Sequence, residues 1–297
     1  MTIAACYVSP EGIVLGADST ASFDFGALHF YNHNQKLFEL GDKDTTFGIV
    51  TWGLGGLRDI SYRTLFAKLS ADIKTTPARD PLDVATRWAT LYWQAYSSAA
   101  HLIGQRQRAQ QLQAKPAYDP KATPVAPTAR TQAEEEEYEN LRRDLGAGFC
   151  IGGYTEPDRV PQAFEITFWP EDQAAPTPSP IPMHNHRFWG APNMTHRLIY
   201  GCDSDFIHRL RNSGKWNGTP TDLQNVIEPG RLIQPVMPIR DAVDFVHTCI
   251  YSTIKALKFS SFSQICGGPI ELAVITTDRK FRWVRHKEWD AAVWENG

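Results

Sequence analysis

Three residues near the start of the chain have types and spacing that could do chemistry together: Thr2, Asp18 and Lys36. With Met1 removed, Thr2 carries a hydroxyl and a free α-amine on one residue, a nucleophile with a built-in base. An α-amine titrates at about 7.7–8.0, so a useful fraction is neutral near pH 7. A lysine beside it keeps the amine neutral by like-charge repulsion, and an aspartate holds that lysine charged and in place. The positioning elements are local. Residues 3–8 form an apolar, β-favouring run, Ser9-Pro10-Glu11-Gly12 is a turn, and 13–15 is the return strand of a hairpin. Antiparallel pairing carries Asp18, at the end of the return strand, back towards Thr2. The plainer alternative is that Thr2 is the second residue of a buried strand and has no chemical role.

The stretch formed by Thr2, the Glu11-Gly12 turn, Val14-Leu15-Gly16-Ala17-Asp18-Ser19 and Lys36-Leu37-Phe38 resembles the proteasome-type N-terminal-nucleophile (Ntn) hydrolases, the proteasome β-subunits and their bacterial relatives. From Thr2 to Asp18 the spacing fits that family without a gap; from Asp18 to Lys36 this chain is slightly longer, within residues 23–33. The resemblance implies a threonine-type hydrolase of peptide or other amide bonds, working through an acyl-enzyme on Thr2 after methionine removal or autoprocessing. Gly53, first of the glycines in Gly53-Leu54-Gly55-Gly56, matches the family's oxyanion-hole residue, although such a loop is also an ordinary strand-to-helix turn. Ser19, Thr20, His33, Trp52 and Cys266 are candidate residues of the substrate cleft, and His29 shares the lengthened loop with His33. Three positions depart from the family pattern: Ala191 stands for a serine, Ser263 for an aspartate and Cys266 for a serine. Cys266 serves there as a weak donor or as a small buried apolar residue. Their loss weakens proton shuttling, where general acid–base assistance is worth about 10²–10⁴-fold. Two further readings stay open: an amine-accepting peptide ligase of the same fold, and a non-catalytic scaffold subunit.

Composition narrows the remaining classes. A net charge of −3 gives no basic footprint for nucleic acid. No apolar run reaches membrane-spanning length and no secretory signal heads the chain. Five cysteines, Cys6, Cys150, Cys202, Cys249 and Cys266, are scattered without CxxC pairing, which points away from a disulfide framework or zinc site and towards the cytoplasm. His184-Asn185-His186 has a spacing that could bind metal from an extended strand. It lacks a neighbouring cysteine or carboxylate, so a surface or packing role is preferred. No cofactor and no metal are expected. The expected partners are a peptide or protein substrate and, by the resemblance, further copies of the chain; no residue identifies an unfoldase partner.

Periodicity predicts strands at 37–40, 47–52, 148–154, 163–169, 188–191, 267–275 and 281–284. It predicts helices at 57–74, from Asp80-Pro81 to about 113, from 134 to 144, from 193 or 195 to 210, at 221–227 and at 240–257. Residues 114–130, rich in Pro and Ala, read as an exposed loop. The pattern alone gives an α+β protein; the resemblance sharpens this to a four-layer αββα sandwich. One domain, 1–297, is expected, with insertions at about 104–140 and 211–239.

Overall fold

Small and β-favouring residues alternate through β1 (Ile3–Ser9) and β2 (Gly12–Ala17), and both strands are buried along their whole length. A strand buried on both faces needs a partner layer on each side, and the rest of the chain supplies them. The computed structural model describes residues 2–24, 28–41, 45–118, 128–232, 234, 236–261 and 265–287. Beyond β1 and β2 come β3 (Ala21–Asp24), β4 (Leu28–Tyr31), β5 (Leu37–Leu40) and β6 (Phe47–Gly53). Helices α1 (Tyr62–Thr75), α2 (Pro81–Ser98), α3 (Ala100–Gln113) and α4 (Gln132–Leu145) follow, then β7 (Ala147–Gly153), β8 (Gln162–Phe168), β9 (Ser179–Ile181) and β10 (His186–Gly190). The last elements are α5 (Asn193–Tyr200), α6 (Ser204–Asn212), α7 (Pro220–Ile227), α8 (Ile239–Lys258), β11 (Glu271–Thr276) and β12 (Lys280–Arg285).

The strands pair antiparallel in three sheets, ordered β10-β1-β2-β11-β12, β5-β6-β7-β8-β9 and β3-β4. Alternation decides what each face meets. Ala4, Cys6, Val8, Ile13 and Leu15 from the first sheet share one apolar cluster with Leu37, Val50 and Cys150 from the second. Ile3, Ala5, Tyr7 and Val14 point the other way and pack on Val246, Cys249 and Ile250 of α8. The second sheet turns Phe47, Ile49, Phe149 and Phe168 towards α1 and α2, where Phe66, Trp88 and Tyr92 interlock with them. Trp88 and Tyr92 are wholly buried. Each such ring removes roughly 150–250 Å² from water, worth several kcal/mol at about 25 cal/mol per Å².

Several element boundaries differ from the periodicity reading. The helix expected from 57 starts at Tyr62, where the Ser61 side chain accepts the Thr64 N–H at 3.1 Å. The helix begun at Asp80-Pro81 does not run unbroken to 113. Ala99 is extended, and just before it the Ser98 hydroxyl donates back to the Gln94 carbonyl at 2.6 Å, a local bond that competes with the helical ladder. The helix expected from 193 or 195 to 210 is two helices: Gly201, at φ +75°, ends α5, and the Asp203 carboxylate caps α6 through Phe206 N–H at 2.7 Å. The lengthened loop before Lys36 contains the β3–β4 hairpin, and β9 is a further strand that periodicity missed. Of the loop expected at 114–130, residues 119–127 lie outside the described residues.

Candidate active site

Thr2 leads into β1 and is 5 % exposed. Its backbone is wedged against Gly190, which faces Ile3 in register across β10. A Cβ at position 190 would lie 1.9 Å from the Thr2 carbonyl oxygen, and φ there is +82°, so only glycine lets the chain pass.

Asp18 follows β2 and is completely buried. One carboxylate oxygen, Oδ1, accepts from Lys36 Nζ at 2.7 Å and from the Ile3 N–H at 3.1 Å. The other, Oδ2, accepts from the N–H groups of Gly267 at 2.9 Å and Thr20 at 3.2 Å. Four donors on one carboxylate satisfy a buried charge that would otherwise be expensive. The Asp18 N–H in turn donates to the Ile3 carbonyl at 3.1 Å, so Asp18 is tied twice to the residue after Thr2. Lys36 is 3 % exposed and precedes β5; its carbonyl accepts from Thr51 N–H at 2.9 Å, which fixes the backbone from which the ammonium reaches across.

Gly53 ends β6 and is exposed. Its φ is +80°, and a Cβ would meet the Gly146 carbonyl oxygen at 2.2 Å. That same oxygen accepts from Leu54 N–H at 2.7 Å, which closes the turn. The neighbouring Trp52 stacks on Trp189, with ring centroids 4.3 Å apart and planes 7° from parallel. Trp189 faces Ala4 in register, so the Gly53 end of β6 lies over the Thr2 end of β1.

The other sequence candidates fall in different environments. Ser19 and Thr20 are buried beside Asp18; Ser19 N–H donates to the Gly267 carbonyl, and Thr20 Oγ1 donates to Asn32 Oδ1 at 2.9 Å. His33 is exposed and lines an open hollow of about 360 Å³ with Ala21, Tyr31, Asn32 and Asn34. His29 is exposed on β4. Cys266 is wholly buried among the residues packed on α8; burial, and after it the Asp18 charge, pushes its thiol well up from the usual range. Ala191 sits in the turn after β10, while Met1 and Ser263 lie outside the described residues. His184 has φ +58°, so the His184-Asn185-His186 stretch is not extended there. His186 is buried against Phe188 and Phe245, and burial lowers it to about 4. Among the described residues no group of three or more His, Cys, Asp or Glu is arranged to hold a metal ion.

Two charged residues of this corner were not found by sequence reasoning. Glu271, completely buried, faces Ala17 in register across β11. Lys287 Nζ lies 3.4 Å from Glu271 Oε2 and donates to the Asn34 carbonyl at 2.8 Å and to Ser19 Oγ at 3.2 Å. The signal for Glu271 was available, a lone carboxylate between Ile270 and Leu272 in an apolar strand. Nothing in the sequence around Lys287 marks it.

The fold and this corner together define a mixed α/β protein of three antiparallel sheets and eight α-helices among the described residues, with a buried Asp–Lys pair beside the threonine that leads the first strand. No family model and no curated protein matches the sequence. Solved structures match the fold. The chain is similar to "Anbu (Gly-1) mutant" from Hyphomicrobium sp. strain MC1, with a TM-score of 0.52 and 14 % identity over 100 % of this chain and 91 % of that one. It is also similar to the structure described as "Helical Assembly of the Anbu Complex" from Pseudomonas aeruginosa, with a TM-score of 0.54 and 12 % identity over 99 % and 90 %. At these identities the likeness is one of fold. It corrects the family expectation: the N-terminal motif pointed to proteasome β-subunits and their bacterial relatives, whereas the structural neighbours are Anbu proteins and no family model supports the former assignment. No helix among the described residues is long and apolar enough to cross a membrane.

Proposed function

We propose that the chain is an N-terminal threonine hydrolase of peptide or other amide bonds. After Met1 is removed, Thr2 Oγ1 attacks the scissile carbonyl, and the Thr2 amine takes the hydroxyl proton and gives it to the departing amine as the C–N bond breaks. The Gly53 N–H stabilises the oxyanion, and water resolves the acyl-enzyme. Lys36 holds the amine neutral, and Asp18 holds Lys36. The observation that carries this reading is that one oxygen, Asp18 Oδ1, binds both the Lys36 ammonium and the N–H of the residue after Thr2. An ion pair this deeply buried brings little net stability, so its use is local: it delivers a charge to the strand start.

Thr2→Ala should abolish turnover of amide substrates while leaving the thermal unfolding profile unchanged. A hydroxyl-directed electrophile should form an adduct that maps to Thr2. Turnover by Thr2→Ala equal to the parent would rule out the mechanism. Adding a primary amine to the assay sorts hydrolysis from acyl transfer, and an intact mass that always retains Met1 would favour a scaffold subunit.

The same reading carries a four-layer αββα arrangement in a single domain, supported by the cluster shared between the two five-stranded sheets and by the helix-facing clusters on their other sides. It also carries a homo-oligomer, supported by the helical assembly described for the Pseudomonas aeruginosa neighbour, and a cytoplasmic location, which rests on the scattered, unpaired cysteines.

A further inference from the structure

We propose that Lys287 is a positioning residue for the threonine site: its ammonium ties the segment that follows Asp18 to the segment that precedes Lys36, and buried Glu271 anchors it. This inference rests on the threonine reading above and adds a residue to it. Ser19 is the residue after Asp18, and Asn34 stands two before Lys36. Lys287 donates to the Ser19 hydroxyl and to the Asn34 carbonyl, while the Asn34 N–H donates to the Ser19 carbonyl at 2.9 Å. The two backbone stretches that carry the catalytic ion pair are thus joined by a backbone bond, by the Thr20–Asn32 side-chain bond and by the Lys287 ammonium. The Lys287 side chain is 13 % exposed and Glu271 is fully buried, which suits a fixed tether better than a surface pair.

The charges around Lys287 make the tether electrostatic as well as mechanical. Burial lowers its pKa from the ordinary lysine range; the Glu271 carboxylate opposes that shift, and Lys36 and Arg63 add to it. His286 Nδ1 lies 2.8 Å from the other Glu271 oxygen. Asp18 and Cys266 are further titratable groups of the corner. Lys36 and Lys287 therefore feel each other's charge across this corner, each with its own carboxylate on the paired strands β2 and β11 or just beyond them. Removing the Lys287 charge changes the potential at the Thr2 amine through Lys36, and removing Glu271 changes it in the opposite direction.

The experiment uses full-length protein with a free Thr2 amine and follows acetylation of that amine by acetic anhydride across pH, alongside kcat and KM on an amide substrate. Lys287→Met should raise the amine's titration midpoint by about half a unit, because a nearby cation is lost. It should lower kcat by roughly 10- to 100-fold with KM nearly unchanged, as expected of a misplaced reacting group. Lys287→Arg, which restores the charge, should recover most of both. Glu271→Gln should move the midpoint down. A folded Lys287→Met protein with the parent midpoint and kcat overturns the proposal. If that variant does not fold, an unmoved midpoint in Glu271→Gln overturns it. If Thr2→Ala keeps its turnover, the hydrolase reading fails instead, and the amine midpoint still decides the role of Lys287.

Discussion

The molecule holds two polar networks that use the same residue types in opposite ways. In the site corner, Asp18 spends both oxygens on backbone N–H groups and one short ammonium contact, all out of solvent. On the helical flank, α3 and α4 are laced by long side chains gripping one another: Arg108 with Glu137, Lys115 with Glu134, and Arg130 with Glu135. Arg130 also donates to the Leu112 and Lys115 carbonyls, and its guanidinium lies over the Tyr138 ring. The flank is redundant and partly wet, so each link has a substitute. The corner has none. The contrast teaches where a charge is replaceable: a long side chain such as Arg108, pairing at the surface, tolerates adjustment, whereas a two-carbon carboxylate bonded to three separate backbone segments tolerates very little.

The sharpest way to break this contrast is at Asp18. Asp18→Asn keeps the shape but leaves Lys36 buried without a counter-charge, and should cost about 3–5 kcal/mol in denaturant unfolding. Amide turnover should fall with it; a stability loss of the surface-pair size would mean that the corner is no stricter than the flank.

His186 supplies a third, uncharged case of buried polarity. Its folded pKa is lowered to about 4 by burial, with the Arg231 charge adding to the shift, against about 6.5 when unfolded. Between those values the unfolded chain binds more protons, so stability present above pH 6.5 should be lost as pH falls towards 4, by about 3 kcal/mol in all. His186→Leu should flatten thermal stability across that window; an unchanged acid slope would show that His186 is not the group responsible.

The smallest effect belongs to the flank. Arg130 lowers the Glu135 carboxyl below its ordinary range by a direct side-chain bond. Even so, Glu135→Ala leaves the buried Arg130 guanidinium on two carbonyls and without its carboxylate, and should cost about 2 kcal/mol, measured by the same denaturant method.

How much of this was legible from residues alone follows from chain distance. The β1–β2 hairpin is set by a local turn, so the approach of Asp18 to the Thr2 end could be read directly, and Lys36 was reached through motif spacing. Gly53 was marked by its position between strand and helix. Glu271 and Lys287 belong to the same corner but lie more than two hundred residues later, joined only by sheet pairing that periodicity does not encode. The α2–α3 break at Ala99 was equally hidden, because the sequence there is Ser-Ser-Ala-Ala without a glycine or proline. The break between α5 and α6 was visible in Gly201 and Asp203, and was missed because the apolar spacing carries on across it. The family assignment failed where the coarser reading, a chain of mixed strands and helices, held, because the assignment leaned on a short N-terminal motif and the coarser reading on the whole chain.

The position of β1 has a consequence for synthesis on the ribosome. It lies between β2 and β10, so its second edge is closed by residues 186–190. The nascent chain must carry an apolar, open ladder until residues 186–190 have been made, and such an unpaired edge invites association with other chains. The strand that Thr2 leads waits for a partner far along the chain, and β2 beside it waits longer still, for residues 271–276.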